Sequence, residues 1–93
     1  MPIGLLTLEL HLPDAHSLKE KRLVLQKIKD RLRSRFNVSV AELDHQELWQ
    51  RSVLGVVSIS SDQRNLESVI EAVERESSKL LGGDLVATET DYF

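Results

Sequence analysis

From Ile3 to Leu12 the chain alternates, with Leu6, Leu8, Leu10 and Leu12 at one parity and Thr7, Glu9 and His11 at the other. That two-residue period predicts a strand buried on one side. Pro13 and Asp14 close it. Ser17 then stands where a helix N-cap belongs, and Glu20 three residues on supplies the second half of a capping box. Beyond it Leu18, Val24, Leu25, Ile28 and Leu32 fall within about 120° of one another at roughly 100° per residue, which predicts a helix to Ser34 lying on a sheet. Phe36, Val38 and Val40 alternate with Asn37, Ser39 and Ala41 as a second strand, and "SVLGVVSIS" from Ser52 makes a third. The connection between them, Asp44 to Gln50, holds Trp49. Asp62 is placed to cap a second helix with the stripe Leu66, Val69, Ile70, Val73, Leu80 and Leu81, and Gly82 with Gly83 stops it. "LVATETDYF" closes the chain as a fourth strand.

The order is therefore β-α-β-β-α-β. With right-handed crossovers it resolves into a four-stranded antiparallel sheet of order 4-1-3-2 with both helices on one face, an α+β ferredoxin-like sandwich. Residues 1–93 form a single domain, since no linker, low-complexity stretch or internal repeat interrupts them beyond a weak similarity of the two halves.

Composition adds few constraints. There is no cysteine, hence no disulfide framework and no thiolate chemistry, and a reducing cytoplasm is the expected compartment. The N-terminal apolar run has no basic flank and is broken by Thr7, Glu9 and His11, so neither a signal peptide nor a membrane span is expected.

Catalytic constellations are weak. His16 is expected at the carboxyl end of the first strand and His45 in the hairpin at the opposite end of the sheet, so the histidines share no site and no metal is expected. Asp14, His16 and Ser17 are neighbours on a turn, which does not create triad geometry. The first strand-to-helix loop lacks glycine, and Asp14 and Asp62 put negative charge where a phosphate would sit. No enzyme activity and no cofactor are implied. RNA binding on the open sheet face is disfavoured too, because the two central strands carry no aromatic residues.

Charge is informative through its distribution. The formal total is −3, yet eight of the twelve Lys and Arg residues fall between Ser17 and Arg35, against two acids, Glu20 and Asp30. Within that helix Lys19, Arg22, Lys29 and Arg33, with Gln26 among them, recur at spacings of three and four and form a cationic stripe beside the apolar one. A phosphate backbone could lie along it. The competing reading is internal: Glu67, Glu71 and Glu74 flank the stripe of the second helix and would pair with these cations across a helix-helix seam. A second strand at the sheet edge with few charges, together with Trp49, makes a homo-oligomer contact the alternative use of the surface.

"SLKEKR" (Ser17 to Arg22) and "RFNVSVAELDHQELWQRSVLGV" (Arg35 to Val56), within this order of elements, resemble the YlxP-like family of small bacterial proteins, a domain of unknown function. The resemblance covers nearly the whole chain. It implies the ferredoxin-like fold and, because such proteins are often encoded beside transcription-antitermination, initiation and ribosome-binding factors, a link to translation or ribosome maturation. It supplies no catalytic residues. The resulting expectation is a non-enzymatic cytoplasmic accessory domain that meets RNA or a ribosomal subunit through Lys19, Arg22, Lys29 and Arg33. The alternative is a homo-oligomeric interaction module built on an edge strand and the Trp49 region.

Overall fold

The computed structural model describes residues 2–93. Strand β1 (Ile3–His11) turns through Pro13 to Ser17 into helix α1 (Leu18–Arg35). Strands β2 (Ser39–Asp44) and β3 (Arg51–Ile59) form a hairpin, helix α2 (Gln63–Leu81) follows, and a 3-10 turn (Gly82–Asp84) leads into β4 (Leu85–Tyr92). The sheet order is β2-β3-β1-β4 with every pair antiparallel, which is the order 4-1-3-2 read from the other edge.

The alternation in β1 does what its period requires. Leu6, Leu8 and Leu10 are buried beneath the helices, with Val56 opposite Leu6 and Leu54 opposite Leu8 on β3. From α2, Leu66, Ile70 and Val73 close the same core. Each such side chain contributes about 1.5–3 kcal/mol on leaving water, so this layer dominates the stability of the domain.

Both helix starts are capped by side chains. Ser17 Oγ accepts from the Glu20 N–H at 3.1 Å, and the Glu20 carboxylate accepts from the His16 N–H at 2.6 Å, one residue before the position a standard capping box uses. Asp62 accepts from the Arg64 N–H at 3.1 Å. Helix α2 ends at Gly82, whose φ of 53° lies in the left-handed region that favours glycine.

Two details depart from the sequence reading. Phe36 caps the end of α1, its N–H bonded to Leu32 O at 2.9 Å, and β2 begins only at Ser39. The buried stripe of α1 is Lys21, Leu25, Ile28 and Leu32. Val24 lies at its margin, 37% exposed, in a shallow groove with Leu80 and Leu81 of α2. A lysine therefore occupies a core position.

Candidate nucleic-acid interface

Helix α1 presents two different flanks. The one turned to α2 carries Arg31 and Arg35, and both guanidiniums meet Glu76, at 3.0 and 3.1 Å. Hydrogen bonding from Arg31, followed by the charges of Arg35 and Arg31, holds the Glu76 carboxyl below the usual carboxylate range, outweighing the upward push of burial. This is the only carboxylate that bridges the two helices by an ion pair among the described residues. Glu67, Glu71 and Glu74 lie on the far flank of α2, where their charges act on Tyr92 of β4. The proposed pairing of those three acids with the cations of α1 is thus corrected. The helical period that puts Leu66, Ile70 and Val73 on the sheet turns Glu76 towards α1 and the other three away from it.

The other flank of α1, past the β2 edge, carries Lys19, Arg22, Gln26, Lys29 and Arg33. Lys19, Arg22 and Arg33 are exposed and Lys29 is half-buried. Arg33 pairs with Asp30 at 3.1 Å, and the Gln26 amide donates to the same carboxylate at 2.8 Å, so the C-terminal end of the stripe is partly neutralised. Lys19, Arg22 and Lys29 make no ion pair among the described residues.

At the N-terminal end of α1, on its buried face, stands Lys21, 1% exposed. Its Nζ donates to His45 O at 2.5 Å and Leu48 O at 2.7 Å and lies 2.8 Å from the Glu42 carboxylate, which also accepts from Ser52 Oγ at 2.6 Å. Three acceptors thus surround one donor group that has three hydrogens. Sequence reading counted Lys21 only among the helix cations. The available signal was its spacing of four and seven residues from Leu25 and Ile28, which puts it on the apolar stripe.

Lys21 fixes the hairpin loop on α1, and Gln50 fixes it on the β1–α1 turn. The Gln50 amide donates to Pro13 O and Ala15 O at 3.1 and 3.2 Å, and its own carbonyl accepts from the Leu12 N–H at 2.8 Å. These contacts also correct the placement of the histidines. Since β1 and β2 are each antiparallel to β3, they run in the same direction, and the β2–β3 hairpin lies at the carboxyl end of β1. His16 and His45 are therefore at one end of the sheet. No group of three or more His, Asp or Glu among the described residues is arranged to hold a metal ion.

Held in this way, the loop leaves Leu48 and Trp49 exposed, Trp49 by 51%. Trp49 lines an open cleft of about 440 Å³ with His11, Glu47, Leu48, Gln50 and Arg51. The Arg51 guanidinium faces Glu9 across 3.7 Å, with both side chains about half exposed. The open sheet face beyond carries an apolar row, with Ile3 between Ile59 on β3 and Phe93. No helix is long and apolar enough to cross a membrane among the described residues.

Comparison with solved structures gives full-length matches at low identity. The de novo designed protein Foldit4 aligns with a TM-score of 0.57 at 14% identity, covering 99% of this chain and 94% of that one. SnoaB, a cofactor-independent oxygenase from Streptomyces nogalater, aligns with a TM-score of 0.52 at 10% identity, covering 99% and 90%. Such likeness shows the fold alone. In sequence, the chain is 35% identical over 91 residues to the uncharacterized protein YlxP of Bacillus subtilis (strain 168), covering 98% of this chain and 99% of that protein. The family model described as "Protein of unknown function (DUF503)" matches residues 3–90. The chain accordingly belongs to the DUF503 family, as a YlxP-like domain of unknown function.

Proposed function

We propose that this domain is a non-enzymatic, cytoplasmic, translation-associated accessory protein that binds RNA or a ribosomal particle through the outer flank of α1. The observation that carries this reading is the segregation of charge across the helix layer. Among the described residues Lys19, Arg22 and Lys29 have no carboxylate partner, while the acids that would have neutralised them flank β4 on the other side. A polyanion approaching the β2 edge meets cations first. Each phosphate neutralised releases counterions, so the affinity should fall steeply with salt.

Recovery of the tagged protein from lysate at low and high salt tests the reading. RNA or ribosomal subunits should accompany it at low salt and dissociate at high salt. Lys29→Glu and Arg33→Glu should each weaken the interaction and reduce the salt slope by about one, with circular dichroism unchanged because neither side chain enters the core. Association that survives both reversals would overturn it.

A second reading has its own observation. Ile3, Ile59 and Phe93 leave an apolar row on the open sheet face, and β2 has a free edge with Leu43 exposed. Self-association through those strands and the Trp49 region is the alternative, and sedimentation separates the two. A dimer that persists in high salt favours it, and a monomer in dilute solution counts against it.

A further inference from the structure

We propose that the Trp49 cleft takes an unstacked base of single-stranded RNA, with the base against the indole and its phosphate towards Arg51. This rests on the reading of α1 as a polyanion surface and names the form of RNA that surface prefers.

Trp49 is not part of the core cluster, although an indole is the largest apolar side chain the chain possesses. It sits on a loop whose backbone is tied down at several points. Lys21 holds the carbonyls of His45 and Leu48, Gln50 holds two carbonyls of the β1–α1 turn, and His45 is kept at a φ of 62° with its N–H on the Asp44 carboxylate. The tether from Lys21 reaches the loop backbone at His45 and Leu48 and leaves Trp49 exposed. It reduces the ordering cost of any contact the indole makes.

The chemistry around the ring selects a base. The cleft joins the apolar Leu48 and Trp49 to the His11 ring and the Arg51 guanidinium, groups that stack on or donate to a heterocycle. Its carboxylates, Glu47 in the lining and Glu9 beside Arg51, disfavour a phosphate in the cleft itself. The Glu9–Arg51 contact is long and half exposed, so Arg51 can leave it at small cost. Phosphates on either side of the bound base have Arg51 in one direction and the start of the α1 stripe in the other. Lys19 and Arg22 lie within two residues of Lys21 in the first turns of α1, and Lys21 is bonded to this same loop. An aromatic platform at the end of a cationic track is how single strands are held without sequence readout. Paired bases in a duplex have no free face to offer it.

Trp49 is the sole tryptophan, so its emission reports the cleft directly. The full-length protein is titrated with a short oligouridine and, separately, with an RNA duplex of the same length, and affinities are read by anisotropy of labelled RNA. The single strand should quench the indole and bind better than the duplex. Trp49→Ala should weaken single-strand binding roughly 5- to 150-fold, the usual worth of one stacked base, and leave duplex binding unchanged. Trp49→Phe should retain most of the affinity, and Arg22→Glu should weaken both RNAs. Salt-dependent binding that is lost in Arg22→Glu, yet leaves the emission constant and is unaffected in Trp49→Ala, overturns the cleft and spares the α1 reading. Absence of binding to either RNA overturns both.

Discussion

Replacing Lys21 by methionine would keep most of its aliphatic volume and remove the ammonium on which His45 O, Leu48 O and the Glu42 carboxylate converge. The Leu48 carbonyl would then lose its donor and the Glu42 carboxylate, 16% exposed, its opposite charge, while the Ser52 hydroxyl still donates to Glu42 and the Leu48 N–H to His45 O. Breaking one side of such a buried pair costs about 3 kcal/mol. Denaturant unfolding of Lys21→Met should show that loss as a lower midpoint, and adding Glu42→Leu should restore part of it by removing the orphaned charge. The residue also marks where sequence reading falls short. A lysine is read as surface by default, because an isolated buried ammonium is so costly. Its three acceptors come from residues more than twenty positions away, so only the folded chain shows that the cost is met.

Among the elements, the strands and helices were legible because each obeys one period, and the caps at Ser17 and Asp62 and the stop at Gly82 marked their ends. What the periods do not encode is which end of the sheet a hairpin occupies, or which way a flank of acids turns. The direction of the strands decides the first, and it brings Trp49 beside His11. The packing of Leu66, Ile70 and Val73 decides the second, and it is Glu76 that meets Arg31 and Arg35 at the seam. Glu76 carries a pH prediction. Its carboxyl is held below an ordinary glutamate near 4.5 by the Arg31 hydrogen bond and the two guanidinium charges. The stabilisation is therefore fully present above about pH 4.5 and is lost as pH falls through the lowered native value. Urea midpoints measured down through this window should fall more steeply for the native chain than for Glu76→Gln.

Across the whole molecule, basic residues line the β2 side and Glu67, Glu71 and Glu74 the β4 side. The single tyrosine, exposed on β4, reports on the acidic side. Burial first, and then the charges of these three glutamates, push the Tyr92 hydroxyl above its usual value of 10.0. Ultraviolet titration should therefore place its midpoint above 10.0, and Glu71→Gln should bring it down. The sign for stability follows from the neutral phenol being favoured in the native state. The contribution is present at neutral pH and lost as pH rises through the raised value.

The tether from Lys21 to the hairpin has a practical outcome for anyone adding sequence to this protein. Chain entropy alone makes a longer surface loop cheap, about 0.6 kcal/mol for each doubling, and a hairpin tip is where a tag would ordinarily be spliced. Here the stretch between His45 and Leu48 has a set span, because both its ends are gripped by one side chain, and extra residues would prise at least one carbonyl away. Gly83, where an added Cβ would meet nothing within 4 Å, is the roomier place to graft an epitope. Melting temperatures of the two insertions should differ in that order.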